Sequence, residues 1–158
     1  MKKTIVTSVM MLLVLSTTVL ADSLAKRWGV GVNYPGVSVK YGISKNHAVE
    51  IKSQFGEDIF VIGPRYYYNF NPQDKVVLYI GGEVDYLTFE GESSDGSGFV
   101  GGIFVGGEYF INAKFGIGLD FGPVYVNIED EETSLYEEGI DYIVNISLSY
   151  YFGGGKGE

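Results

Sequence analysis

Cysteine is absent from the 158-residue chain. That excludes disulfides, thiolate metal sites, thiol chemistry and a lipoprotein anchor. Histidine occurs once, as His47, so a catalytic triad of the usual kind would have to include it. Basic residues are few, 11 against 20 acidic. Nucleic acid is therefore not expected as a partner, because phosphate binding needs a basic footprint. After residue 21 no apolar run is long enough for a transmembrane helix, and no stretch repeats its apolar residues at helical spacing. Glycine is plentiful, yet no G-x-x-x-x-G-K-[ST] phosphate loop occurs.

An export pattern comes first. Lys2 and Lys3 precede an apolar run from Ile5 to Leu15, followed by Ser16, Thr17, Thr18 and Val19-Leu20-Ala21. This predicts a signal peptide over 1–21 cleaved after Ala21, with Ala25 as the second option. The apolar run is short for a helix that must span ~30 Å. Cleavage at Ala21 removes two lysines and no acid, leaving 9 basic and 20 acidic residues and a net charge of −11. The rest is one domain over 22–152 with a flexible Gly-rich tail at 153–158.

Tyr (13), Phe (10) and Gly (23) dominate the composition, and the first two favour strands. Apolar residues recur at every second position, the strand period. The clearest run is Ile140–Phe152. Tyr142, Val144, Ile146, Leu148, Tyr150 and Phe152 share one face, against Asp141, Ile143, Asn145, Ser147, Ser149 and Tyr151, which is mostly polar. Comparable alternation marks Trp28–Tyr34, Val37–Ile43, Val49–Phe55, Phe60–Phe70, Val76–Phe89, Phe99–Ile111 and Phe115–Tyr125. The expected fold is all-β, an eight-stranded antiparallel up-and-down transmembrane barrel. The even connections Ser44–Ala48, Asn71–Lys75 and Asn112-Ala113 are short. The later odd ones, Glu90–Gly98 and Glu129–Gly139, are long, as in barrels with periplasmic turns and external loops.

Lys40, Glu50, Lys52, Arg65, Glu83, Asp85, Glu108 and Asp120 all fall on polar faces. The apolar face is continuous and aromatic-rich, more than a small soluble barrel could enclose. Lipid is the environment that suits it. Tyr34, Phe55, Phe60, Tyr86, Phe99, Tyr125 and Tyr142 fall near one set of strand ends. Trp28, Tyr68, Phe70, Tyr109, Phe115, Tyr150 and Phe152 fall near the other, as two interfacial girdles would.

With these features the chain resembles the small eight-stranded outer-membrane β-barrels of Gram-negative bacteria, the OmpA/OmpX type, over residues 26–152. The closing strand resembles the signal read by the barrel-assembly machinery, carried here by Tyr142, Tyr150 and Phe152. The resemblance implies outer-membrane localisation, with membrane lipid and that machinery as partners. One departure is that the chain continues past the terminal aromatic, through Gly153 to Glu158.

The eight polar-face charges form the candidate site, an ion network in the lumen. Pairing Phe55 with Phe60 puts Glu50 opposite Arg65, and the Asn71–Lys75 turn brings Arg65 beside Gly81 or Glu83. Glu83 and Glu108 lie symmetrically about a point in the Glu90–Gly98 connection, so a hairpin there would make them face each other, with Arg65 separating the like charges. Inward Gly116, Gly118 and Gly122 would leave room for Phe104 and Phe110. His47 falls in the turn Ser44–Ala48, the side away from the outer leaflet where lipid A acyltransferases and deacylases of similar size use a histidine. The acidic segment 129–139 is a solvated loop and the candidate contact for a surface ligand or a divalent cation. It lacks the spacing of an EF-hand. No catalytic residue, cofactor or resident metal is expected. The reading is a non-enzymatic barrel with a structural or surface-interaction role and a filled lumen. Its alternatives are a narrow ion-conducting channel and, last, a lipid-modifying enzyme.

Overall fold

The computed structural model describes residues 24–90, 95–130 and 136–153. The expected signal peptide with its Ala21 cleavage point lies outside them, as do 91–94, 131–135 and 154–158. Every regular element among the described residues is a strand: β1 (Arg27–Asn33), β2 (Gly36–Gly42), β3 (His47–Gly56), β4 (Ile59–Asn69), β5 (Val76–Glu90), β6 (Asp95–Phe110), β7 (Phe115–Asp130) and β8 (Tyr136–Gly153). Each pairs antiparallel with its sequence neighbour, and β8 closes on β1.

The two-residue period decides which face turns inward. In β1, Arg27, Gly29 and Asn33 are buried while Trp28, Val30 and Val32 are exposed. All eight polar-face charges are buried, Lys52 and Asp85 at 1% exposure, whereas Ile103 and Val144 on the outside are 63% and 68% exposed. The barrel is thus apolar outside and charged within.

Register is set by short turns at the end where the chain enters β1, here the near end. Asn71 Oδ1 accepts from the Leu78 N–H, and Asn112 Oδ1 accepts from those of Lys114 and Phe115. Leu24 is buried in this end with Val77, Phe110 and Tyr151, and the Lys26 N–H donates to Gly42 O at 2.7 Å. At the opposite, far end the strands run unequally. β1 and β2 have 7 residues each, β5 to β8 have 15 to 18. β1 pairs with β8 only across Ser147–Gly153, so the far rim steps down sharply from β8 to β1. Inside the tall side Leu87, Val100 and Val124 pack with Phe89, Val126 and Ile143.

Two outward prolines interrupt the ladder. β4–β5 pairing skips from Ile62↔Tyr86 to Arg65↔Glu83 around Pro64, and β6–β7 pairing skips from Gly102↔Val124 to Val105↔Phe121 around Pro123. Proline has no N–H to contribute.

Several expected boundaries move. The Glu90–Gly98 and Glu129–Gly139 connections are mostly strand: Glu90 faces Asp95, and Glu129 faces Tyr136. Polar and acidic residues hid this pairing, because ladder bonds there come from backbone and demand no apolar pattern. The β5–β6 hairpin therefore turns earlier than expected. Glu83 faces Gly102 and Glu108 faces Val77, so the two acids are not opposite each other. Gly153 belongs to β8 and not to a tail.

Candidate functional site in the lumen

The strands deliver the eight charges to the lumen from different heights and sides. Glu50 and Arg65 are direct cross-strand partners, as are Arg65 and Glu83. Arg65 is the hub. Its Nη2 donates to Asp120 Oδ1 at 2.8 Å, and its Nε lies 2.8 Å from Glu83 Oε2, an ion contact without hydrogen-bond alignment. Glu50 Oε2 lies 3.8 Å from Nη1. The guanidinium plane also sits over the Phe104 ring at 3.9 Å. A planar fork can serve several carboxylates and still stack on a ring. Asp120 sits on β7, so this contact crosses from β4 to another part of the wall.

A second group surrounds Lys52, whose Nζ is 2.8 Å from Glu83 and 3.1 Å from Asp85. A third crosses the lumen from β2 to β6, Lys40 Nζ to Glu108 at 3.5 Å. Glu108 thus sits with Lys40 and not with Arg65 or Glu83, a consequence of the shifted hairpin.

Tyrosines complete the carboxylates. Tyr67 Oη donates to Glu50, Tyr79 Oη to Asp120 at 3.2 Å, and Tyr151 Oη to both oxygens of Glu108 at 2.8 Å. Asn145 Nδ2 donates to Asp120 at 2.9 Å. Buried charges need such partners, since unpaired ones are costly. No motif or spacing marks these three tyrosines and Asn145 in the sequence. Strand parity was the available signal, because each shares its face with the charges.

Glycine makes room for the rings, but at other positions than expected. A Cβ on Gly81 would lie 2.3 Å from the Phe104 ring, and one on Gly29 would lie 2.7 Å from the Tyr151 ring. At Gly116 the neighbour is the Glu108 carboxylate, at Gly118 it is Ser147, and at Gly122 it is the Ile103 backbone. The three β7 glycines therefore admit polar groups and close strand approach, and none of them houses Phe104 or Phe110.

His47 begins β3 instead of sitting in the preceding turn. Its Nδ1 is hydrogen-bonded to Tyr66 Oη at 2.5 Å, and its ring lies 5.3 Å from that of Tyr68. On the closing strand Tyr142 is 75% exposed and faces Pro123. The Tyr150 ring lies 4.9 Å from Phe115 and 6.3 Å from Phe152, on the outer surface of the near end. In the acidic segment Tyr125 Oη donates to Glu138 at 2.5 Å; residues 131–135 lie outside the described residues. Among the described residues no group of histidine and carboxylate side chains could hold a metal ion.

No protein-family model matches the chain, and no curated protein matches it significantly.

Proposed function

We propose that the chain is an integral outer-membrane β-barrel of structural or surface-interaction role, similar to the small OmpA/OmpX-type barrels. It would be exported behind a cleaved signal peptide and inserted by the barrel-assembly machinery. The observation that carries this reading is the inversion of the barrel. Exposed Val, Ile, Leu and aromatic side chains cover the outside while Lys52, Arg65, Glu83 and Asp85 are buried within. In water that outside would be one continuous apolar patch. In lipid it is the expected surface, with the closed ladder leaving no edge through the membrane.

Leu24 bears on the processing point. Cleavage after Ala25 would remove a side chain buried against Val77, Phe110 and Tyr151, whereas cleavage after Ala21 keeps it. The filled lumen favours a plugged barrel over a conducting one, since Lys40–Glu108 and Arg65–Asp120 both cross it. Planar-bilayer recording separates these two, and lipid A mass spectrometry of overexpressing cells tests the enzymatic alternative. The main reading predicts different SDS-gel mobilities for boiled and unboiled protein. It also predicts retention in the membrane after alkaline carbonate; release to the soluble fraction would sink it.

A further inference from the structure

An outward groove of about 690 Å³ runs along β5, β6 and β7. Its sides are apolar, including Leu78, Val105, Ile117 and Phe121, and it reaches the near-end aromatics Phe70 and Tyr109. The dent exists because Gly107 stands where an outward side chain would be. A Cβ there would lie 3.2 Å from Leu78 Cδ2.

The charge at its mouth is of one dominant sign. The two turns that bound the near end of this groove, before β5 and before β7, carry Lys75 and Lys114. Lys75 Nζ lies over the Tyr109 ring at 5.2 Å, on the groove's own aromatic rim. Lys114 is exposed. The acid of the same turn, Asp74, accepts a hydrogen bond from Asn71 Nδ2 at 2.9 Å. An apolar slot whose rim holds an aromatic ring with the Lys75 ammonium over it, and whose neighbouring turn carries the exposed Lys114, matches a molecule with a hydrocarbon chain below a phosphate.

Building on the membrane-barrel reading, we propose that this groove holds one anionic glycerophospholipid of the leaflet at the near end. An acyl chain would lie over Gly107, and the phosphate would lie between Lys75 and Lys114. A basic residue near a membrane surface is worth about 1 kcal/mol toward an anionic lipid, about fivefold in affinity.

The test uses the refolded mature protein in mild detergent. It is mixed with equal phosphatidylglycerol and phosphatidylethanolamine and weighed by native mass spectrometry. The expected result is one retained phosphatidylglycerol in preference to phosphatidylethanolamine. Lys75→Glu with Lys114→Glu should abolish the preference, and Gly107→Leu should remove both lipids. Lys26→Glu, at the same rim but away from the groove, should change neither. Heat-modified gel mobility of each variant shows that the barrel is folded. A folded barrel with no retained lipid, or one for which Lys26→Glu costs as much as the double variant, overturns the site and leaves the membrane reading standing. A dimer that Gly107→Leu dissolves would assign the groove to a second copy and overturn the lipid. Loss of heat-modifiable folding in the unmodified chain would overturn the membrane reading itself.

Discussion

The two halves of the wall divide the buried charge between them. Among the described residues, every mid-lumen cation comes from the short half: Lys40 on β2, Lys52 on β3 and Arg65 on β4. Four of the five buried acids among the described residues come from the tall half, namely Glu83, Asp85, Glu108 and Asp120 on β5 to β7; Glu50 on β3 is the fifth. The tall half also carries Gly81, Gly106, Gly116, Gly118 and Gly122 on its strands. Backbone ladders join only neighbouring strands. Arg65 pairs with Glu50 and Glu83 on adjacent strands, but Lys40 to Glu108, Lys52 to Glu83 and Asp85, and Arg65 to Asp120 join strands that are not neighbours, and these pairs tie one half to the other. The lumen is thus organised as a staple, with long cationic side chains reaching from one side toward compact acids on the other.

Removing the hub should break that division most severely. Arg65→Ala leaves Glu83, Asp120 and Glu50 without their shared cation. Losing one partner of a buried pair typically costs ~3–5 kcal/mol. The urea midpoint of the folded barrel in lipid vesicles should fall accordingly. Adding Glu83→Gln should recover part of the loss and not all, because Asp120 remains charged. An Arg65→Ala barrel as stable as the parent would show that the halves do not depend on this contact. If the filled lumen blocks current, Arg65→Ala is also the variant expected to open a conductance in planar bilayers.

Lys40→Met should cost less, ~1–3 kcal/mol, the range for one unsatisfied buried group. The Lys40–Glu108 contact is longer, and Tyr151 continues to donate to both Glu108 oxygens. Combining Lys40→Met with Tyr151→Phe removes both supports. The double variant should therefore lose more than the two single losses added together. Strict additivity in unfolding midpoints would mean that Glu108 is held by something else.

Overfilling probes the glycine side of the comparison. Gly81→Val places a branched side chain where Phe104 and the Tyr66 carbonyl already stand, both at 2.3 Å from the Cβ position. Overpacking of this kind typically costs ~1–3 kcal/mol. Changing Phe104 to alanine in the same chain should relieve part of it, and failure of that rescue would shift the blame to the backbone contact.

How much of this could be read from the chain depends on what fixes each feature. Parity fixed the inward set, because a strand offers only two faces and Lys40, Glu50 and Arg65 alternate with Val39, Ile51 and Pro64. Turn chemistry fixed Glu50 opposite Arg65, since the Gly56–Ile59 hairpin is tight and bounded by Phe55 and Phe60, which are register partners. The β5–β6 register was not legible. Residues 95–98 are Asp-Gly-Ser-Gly, a turn-like composition that nonetheless pairs as strand against 87–90. That slip separated Glu83 from Glu108 and hid the Lys40–Glu108 crossing. Contacts across the lumen, such as Arg65 to Asp120, depend on strand tilt and stagger around the closed barrel. No local pattern encodes those.

The smallest effect is expected at the tall far end, and it decides which way the barrel faces. The connections there carry Glu57, Asp58, Glu90, Glu92, Asp95 and the run from Glu129 to Glu138, with no Lys or Arg. The near-end turns carry Lys45, Lys75 and Lys114. A short epitope inserted at 131–135 lies beyond the last β7–β8 pair, Glu129↔Tyr136, so it removes no described ladder bond. Stability should therefore change by less than ~0.5 kcal/mol, as for surface changes away from packed or paired groups. On the outer-membrane reading the chain enters from the periplasm and the far end is outside. The epitope should bind antibody on intact cells, and added protease should cut there. An epitope inserted in the Asn71–Lys75 turn should stay hidden until the outer membrane is permeabilised. Labelling of the 131–135 insertion only after permeabilisation would reverse the orientation, and with it the leaflet assigned to the near-end lysines.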